Sequence, residues 1–62
     1  MNVIKVTLDS GPFYLVVEHI AAWRKSPMPS HGTCVFMGWG VGFNILETVE
    51  EFIKILTNGI NY

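Results

Sequence analysis

The sequence predicts a small α+β domain, with an antiparallel sheet of two β-hairpins (four to five short strands) followed by one C-terminal amphipathic helix. Three observations carry this prediction: apolar residues alternate near the N-terminus, turn clusters containing glycine divide the chain, and a capping-box pattern precedes apolar residues at helical spacing. Sixty-two residues allow a single domain, spanning residues 1–62.

The first hairpin is predicted from two apolar segments around a turn. Residues Val3–Leu8 alternate as a half-buried strand does, residues 9–12 are turn formers, and Phe13–Val17 forms the return strand. Both faces of the return strand are apolar, which is typical of a central strand or of one covered by a second layer. Because the domain has one helix, another subunit could supply the second cover.

The next segment fits two templates, so residues 18–25 are open between helix and strand. We expect one helical turn near Glu18–Ala21 and then a short strand through Trp23. Residues 26–32 contain two prolines and a glycine, which favours a loop with Met28 exposed at its tip.

A second hairpin follows, with strands over 33–37 and 41–46 and a turn at residues 38–40. Alternation predicts that Val41, Phe43 and Ile45 face the core. Glycine at position 42 leaves room for a neighbouring ring or chain.

The helix signal is the strongest in the chain. Thr48 is a good N-cap, and Glu51 three residues later completes a capping box. Apolar residues at helical spacing predict a core-facing stripe made of Val49, Phe52, Ile53 and Leu56. Ile55 lies off the centre of this stripe, where we expect it to reach an interface.

Charge and composition bear on several classes of protein. Four dispersed cations and a net charge of −1 form no basic stripe, so we expect no nucleic-acid partner. No apolar run approaches the ~20 residues of a membrane span. Cys34 is the only cysteine, which excludes an internal disulfide and favours a cytoplasmic protein.

The constellations that could carry chemistry are weak, so we expect no catalytic residues, no enzyme activity, no metal site and no cofactor. His31 and Cys34, even with His19, fall short of the four ligands of a structural zinc site. We assign the two histidines to loop and surface positions and the cysteine to an apolar strand position. The carboxylates at 47, 50 and 51 are explained by the helix start, and the glycines at 38, 40 and 42 by a hairpin turn.

The expected function is a non-enzymatic protein-interaction module, acting as an adaptor, a regulator or a phage-type inhibitor of a host protein. Half of the residues are hydrophobic, more than so small an interior can hide, so we expect a homo-oligomer, most simply a dimer, that also binds a larger protein. The candidate interaction residues are Trp39, Met28, Trp23, Arg24 and Tyr14.

An alternative is a protein that binds or sequesters a small ligand such as a nucleotide at a subunit junction. Aromatic stacking and a cation could hold an anionic ligand there. The residues of this alternative site are Arg24, Gly38, Trp39 and Gly40.

Two parts of the chain resemble a known family. Ile4–Leu8, a glycine turn and Phe13–Leu15 resemble the start of the FlbD/SwrD family of small proteins found with flagellar genes. Phe43–Ile53 is similar to the closing strand and helix of that family. The resemblance implies a fold and a non-enzymatic role. A small phage-encoded protein of similar anatomy is an equal alternative.

Overall fold

A computed structural model describes residues 2–58, and it confirms the predicted α+β class with five strands and one helix. In chain order the elements are β1 (Val3–Leu8), β2 (Gly11–Val16), a 3-10 turn (Val17–His19), β3 (Ile20–Lys25), β4 (Thr33–Met37), β5 (Gly42–Ile45) and α1 (Val49–Asn58). No helix in this part of the chain is long and apolar enough to cross a membrane.

The strands form two antiparallel sheets, β1-β2 and β3-β4-β5. A hydrogen bond from the Leu46 N–H to the Thr7 carbonyl, 2.9 Å long, links the two sheets where β5 ends beside β1. The strand with neighbours on both sides is β4, whereas β2 pairs with β1 alone among the described residues. β2 is therefore an edge strand of its sheet, which rules out the first of the two alternatives, a central strand, within the described residues.

The turn of the first hairpin is tighter than predicted. Leu8 pairs directly with Gly11, so Asp9 and Ser10 alone connect the strands, and β2 begins two residues before Phe13. Gly11 adopts a φ of +125°, a conformation that glycine takes without the steric penalty of a side chain.

The ambiguous segment contains both predicted elements in the expected order. The helical turn covers Val17–His19, slightly earlier than predicted, and β3 continues past Trp23 to Lys25. The pairing of β3 with β4 shifts register between Ile20 and Ala22, which marks a β-bulge.

The second hairpin closes around Gly40. The turn requires a positive φ at this position, and glycine adopts the observed value of +93° without steric cost. Val41 lies between this turn and β5 and is 42% exposed, so the prediction that it faces the core was wrong. Ile45 is fully buried and Phe43 packs partly buried against the core, as predicted. A Cβ on Gly42 would lie 3.3 Å from the Phe36 ring, so a side chain at position 42 would press against that ring.

Both sheets and the helix contribute to one hydrophobic core. Its buried members are Ile4, Val6, Leu15, Val35, Met37, Ile45 and Phe52. The predicted helix stripe is rotated, since Ile53 is 45% exposed while Ile55 and Leu56 pack against the core. The fully buried Phe52 fixes which side of α1 faces inward.

Glu47 and the helix start are held by specific hydrogen bonds. The predicted capping box is present, because Glu51 accepts a 2.8 Å bond from the Thr48 N–H and donates its own N–H to the Thr48 hydroxyl at 3.1 Å. Glu47 accepts from the Thr7 N–H at 2.9 Å and from the Thr7 hydroxyl at 2.8 Å. The helix dipole therefore does not account for Glu47, which instead fastens β1 to the end of β5.

His31 is buried, contrary to the surface position predicted for it. Its Nε2 lies 3.0 Å from an Asp9 carboxylate oxygen, and its Nδ1 lies 2.9 Å from the Ser30 hydroxyl. This contact ties the β3–β4 loop to the turn of the first hairpin. Cys34 is a buried free thiol in β4, in agreement with its predicted role.

Candidate functional site

An apolar cleft lies between β2 and the β4–β5 hairpin. Its volume is about 120 Å³. It is lined by Phe13, Tyr14, Leu15, Val16, His19, Met37, Trp39 and Phe43. We call this feature the aromatic cleft.

Two ring pairs shape the aromatic cleft. Phe13 and Phe43 come from different sheets, and their ring centroids are 5.2 Å apart with planes tilted by 44°. His19 meets Trp39 edge to face, with centroids 5.6 Å apart and an interplanar angle of 80°. Both distances fall in the range of favourable aromatic contacts, so the rings support one another.

Backbone hydrogen bonds position the rim. The Gly38 N–H donates to the His19 carbonyl at 2.8 Å, which holds the 3-10 turn beside the tip of the second hairpin. Trp39, at that tip, is 61% exposed even though it contacts His19. A large ring is therefore held in place while much of its surface faces solvent.

The predicted interaction residues fall in three places. Tyr14, 54% exposed, and Trp39 both line the aromatic cleft. Trp23 and Arg24 lie on β3, and Met28 is an exposed residue of the β3–β4 loop. The sequence prediction thus named two residues that share a site and three that lie elsewhere.

The residues of the alternative ligand site are not brought together within one chain. Gly38 and Gly40 flank Trp39, as predicted, in the turn after Met37. Arg24 pairs with Cys34, and it is four positions along β3 from the residue that pairs with Met37, a separation of about 13 Å at ~3.3 Å per residue. Its guanidinium carbon instead lies 6.0 Å from the centroid of a β4 phenylalanine ring.

Sequence reasoning missed several lining residues. Phe13, Met37 and Phe43 were assigned to strands without a role in a site, and His19 was treated as a surface residue. Apolar residues on both faces of β2 were the signal available, but identifying the opposite wall required knowing that β4 and β5 pack across from β2. No cysteine, serine or carboxylate is among the lining residues, so the cleft is suited to apolar contact.

A second, more polar cleft of about 380 Å³ lies near the start of α1. Its lining residues are Lys25, His31, Gly32, Thr48, Val49 and Glu50. Two of its polar groups are already engaged, since Thr48 belongs to the capping box and His31 contacts Asp9.

Glu18 is a charged residue beside the aromatic cleft. Glu18, next to His19, has a lowered pKa because its carboxylate accepts hydrogen bonds from its own backbone N–H and from that of Asn2. Within residues 2–58, no group of three or more metal-ligating side chains comes together.

Comparison with known proteins adds no relative. No family model matches the chain, and the searches of curated proteins and of solved structures give no significant match.

Proposed function

We propose that this protein is a small non-enzymatic interaction module that forms a homo-oligomer and binds a larger protein through its aromatic cleft. The observation that carries the proposal is the placement of Tyr14 and Trp39, two large exposed rings, on the rim of an apolar cleft. Tryptophan and tyrosine are enriched among the anchors of protein interfaces.

The size of the aromatic cleft favours a protein partner over a small ligand. Pockets that enclose drug-sized ligands measure about 300–1,000 Å³, whereas this one measures about 120 Å³. A cleft of this size suits apolar side chains presented by a partner. Because Arg24 lies at the far end of β3, a single chain also offers no nearby arginine for a nucleotide phosphate.

Self-association is supported by the apolar surface. Seven large hydrophobic side chains are exposed in the described part of the chain: Tyr14, Trp23, Met28, Trp39, Val41, Leu46 and Ile53. Exposed apolar patches are typical of interfaces. A two-fold dimer is the simplest assembly that would cover part of it.

The resemblance to the FlbD/SwrD family agrees with a non-enzymatic role, and a phage-encoded regulator of a host protein fits equally. The single unpaired Cys34 supports a cytoplasmic location. In either setting, the module would act by occupying a surface of its partner.

Site-specific photo-crosslinking tests the proposal. A photoreactive amino acid at Val41, beside Trp39, should capture a defined partner in cells, while the same group at the exposed Lys54 on α1 should not. A Trp39→Ala substitution should strongly reduce capture from position 41, because it removes the exposed anchor.

Two results would contradict the proposal. One is equal capture from positions 41 and 54, which would indicate nonspecific contact. The other is capture that is unaffected by Trp39→Ala, which would place the partner away from the aromatic cleft.

A further inference from the structure

The outer edge of β3 is a second surface that another strand could pair with. Every residue of β3 after Ile20 is exposed, and β3 pairs only with β4 within residues 2–58. A strand edge presents backbone N–H and C=O groups that can pair with another strand.

The register of β3 identifies the outward groups. Arg24 pairs with Cys34, and a 3.3 Å bond from the Ser26 N–H to the Gly32 carbonyl continues the same register. Antiparallel partners alternate between hydrogen-bonded and non-hydrogen-bonded pairs, so the backbone of Arg24 faces β4. Trp23 and Lys25 therefore direct their N–H and C=O groups toward the open edge.

Arg24 lies between these two outward residues. An incoming antiparallel strand that bonds to Trp23 and Lys25 would place its middle residue opposite Arg24 in a non-hydrogen-bonded pair, the arrangement that brings side chains closest. The guanidinium lies over the Phe36 ring, and no carboxylate in residues 2–58 forms an ion pair with it. A carboxylate on the incoming strand would supply the missing counter-charge.

We propose that the β3 edge binds an extended segment of a partner protein, with an aspartate or glutamate opposite Arg24. This inference deepens the proposed function and rests on it, because it assigns the larger partner a second point of contact. The backbone of Trp23 and Lys25 provides the hydrogen bonds, and Arg24 provides the selectivity for an acidic residue.

A second copy of this chain is a poorer occupant of the same edge. In the two-fold register that pairs Trp23 of each copy with Lys25 of the other, Arg24 lies opposite its own symmetry mate. Like charges directly opposite one another on neighbouring strands are destabilising. The charge on Arg24 thus disfavours self-pairing and favours an acidic segment.

Peptide binding followed by NMR tests this inference on the full chain. The probes are two short Thr/Val peptides that differ only in a central Glu or Lys, titrated up to about 1 mM to detect weak binding. We expect the Glu peptide to bind roughly 2- to 20-fold more tightly. It should shift and protect the amides of Trp23 and Lys25, while Arg24→Glu should reverse the preference between the peptides.

A pair of substitutions at one position tests the backbone contacts. Lys25→Pro removes an outward N–H without removing a bond to β4, so it should abolish binding of both peptides, whereas Lys25→Ala should retain binding. Thermal unfolding of each variant verifies that it is folded.

Several outcomes would overturn the inference. Absence of binding at the highest concentration, or a preference that Arg24→Glu leaves unchanged, would do so. Self-association of the wild type that Lys25→Pro abolishes would identify a second copy as the occupant instead. If these tests fail while photo-crosslinking at the aromatic cleft succeeds, the proposed function stands without the β3 contact.

Discussion

Replacing Glu47 with alanine should strongly destabilise the domain. Its carboxylate accepts two hydrogen bonds from Thr7, at 2.9 and 2.8 Å, in a partly buried setting. Hydrogen bonds to charged groups contribute about 1.5–3 kcal/mol each. With a discount for partial exposure, we expect Glu47→Ala to lower the free energy of unfolding by about 2–3 kcal/mol.

That loss is large for a domain of this size. Marginal stability of about 0.05–0.15 kcal/mol per residue gives roughly 3–9 kcal/mol in total for this length. Because about 1 kcal/mol corresponds to 4–8 °C in a small domain, the Tm should fall by about 10–20 °C. Circular dichroism melts and urea unfolding would measure both quantities.

Glu50→Ala is the matched control, because Glu50 is an exposed glutamate near Glu47 that lies in the first turn of α1. Its interaction with the helix dipole predicts a loss of at most about 1 kcal/mol. A double-mutant cycle of Thr7→Val and Glu47→Gln should show coupling near 1 kcal/mol through the hydroxyl bond. If Glu47→Ala destabilises no more than Glu50→Ala, or if the cycle shows no coupling, Glu47 does not fasten the sheets as described.

Three further predictions concern packing, the backbone and pH. Phe52→Ala should lower the free energy of unfolding by about 3–5 kcal/mol, while the neighbouring exposed Ile53→Ala should change it by less than about 0.5 kcal/mol; similar losses would contradict the observed orientation of α1. Gly32→Ala should cost at least about 2 kcal/mol, since its Cβ would lie 2.6 Å from a backbone carbonyl carbon and 2.7 Å from a Cα. Gly38→Ala, whose Cβ would lie 3.6 Å from the nearest atom, should be tolerated, and equal urea midpoints for the two variants would refute this. The lowered pKa of Glu18 means that its charged form stabilises the fold at neutral pH, and this contribution is lost as the pH falls through the folded-state pKa. The stability difference between wild type and Glu18→Gln should therefore shrink as the pH falls below the ordinary range of a glutamate pKa, and a difference that grows on acidification would contradict the assignment.

Features set by neighbouring residues were predictable from the sequence. The capping box of Thr48 and Glu51 depends on a spacing of three residues, and it formed as expected. The turn glycines at positions 11 and 40 were also predicted, because positive φ is a local requirement. The strand order was not predicted. Apolar residues on both faces of β2 do not show whether a neighbouring strand covers them or whether they line a cleft.

Features set by distant contacts were missed for a physical reason. The burial of His31 was missed because its partner Asp9 lies on a different hairpin, far away in the sequence. The helix face was misjudged because Ile53 and Ile55 are equally apolar, and only the position of the sheets decides which of them packs inward. The aromatic cleft likewise joins walls from separate parts of the chain, so its individual rings could be named but their meeting could not.

The bond between Thr7 and Glu47 also has a consequence for biosynthesis. It joins residues that are 40 positions apart, so this bond to β1 cannot form until residue 47 has been translated. At about 5–20 residues per second, that delay is roughly 2–8 s on the ribosome. During this interval the apolar sides of β1 and β2 have no second sheet or helix to pack against. The apolar sides of β1 and β2 therefore gain their packing partners only after residue 47 has been made, and slower translation between residues 7 and 47 would postpone that step.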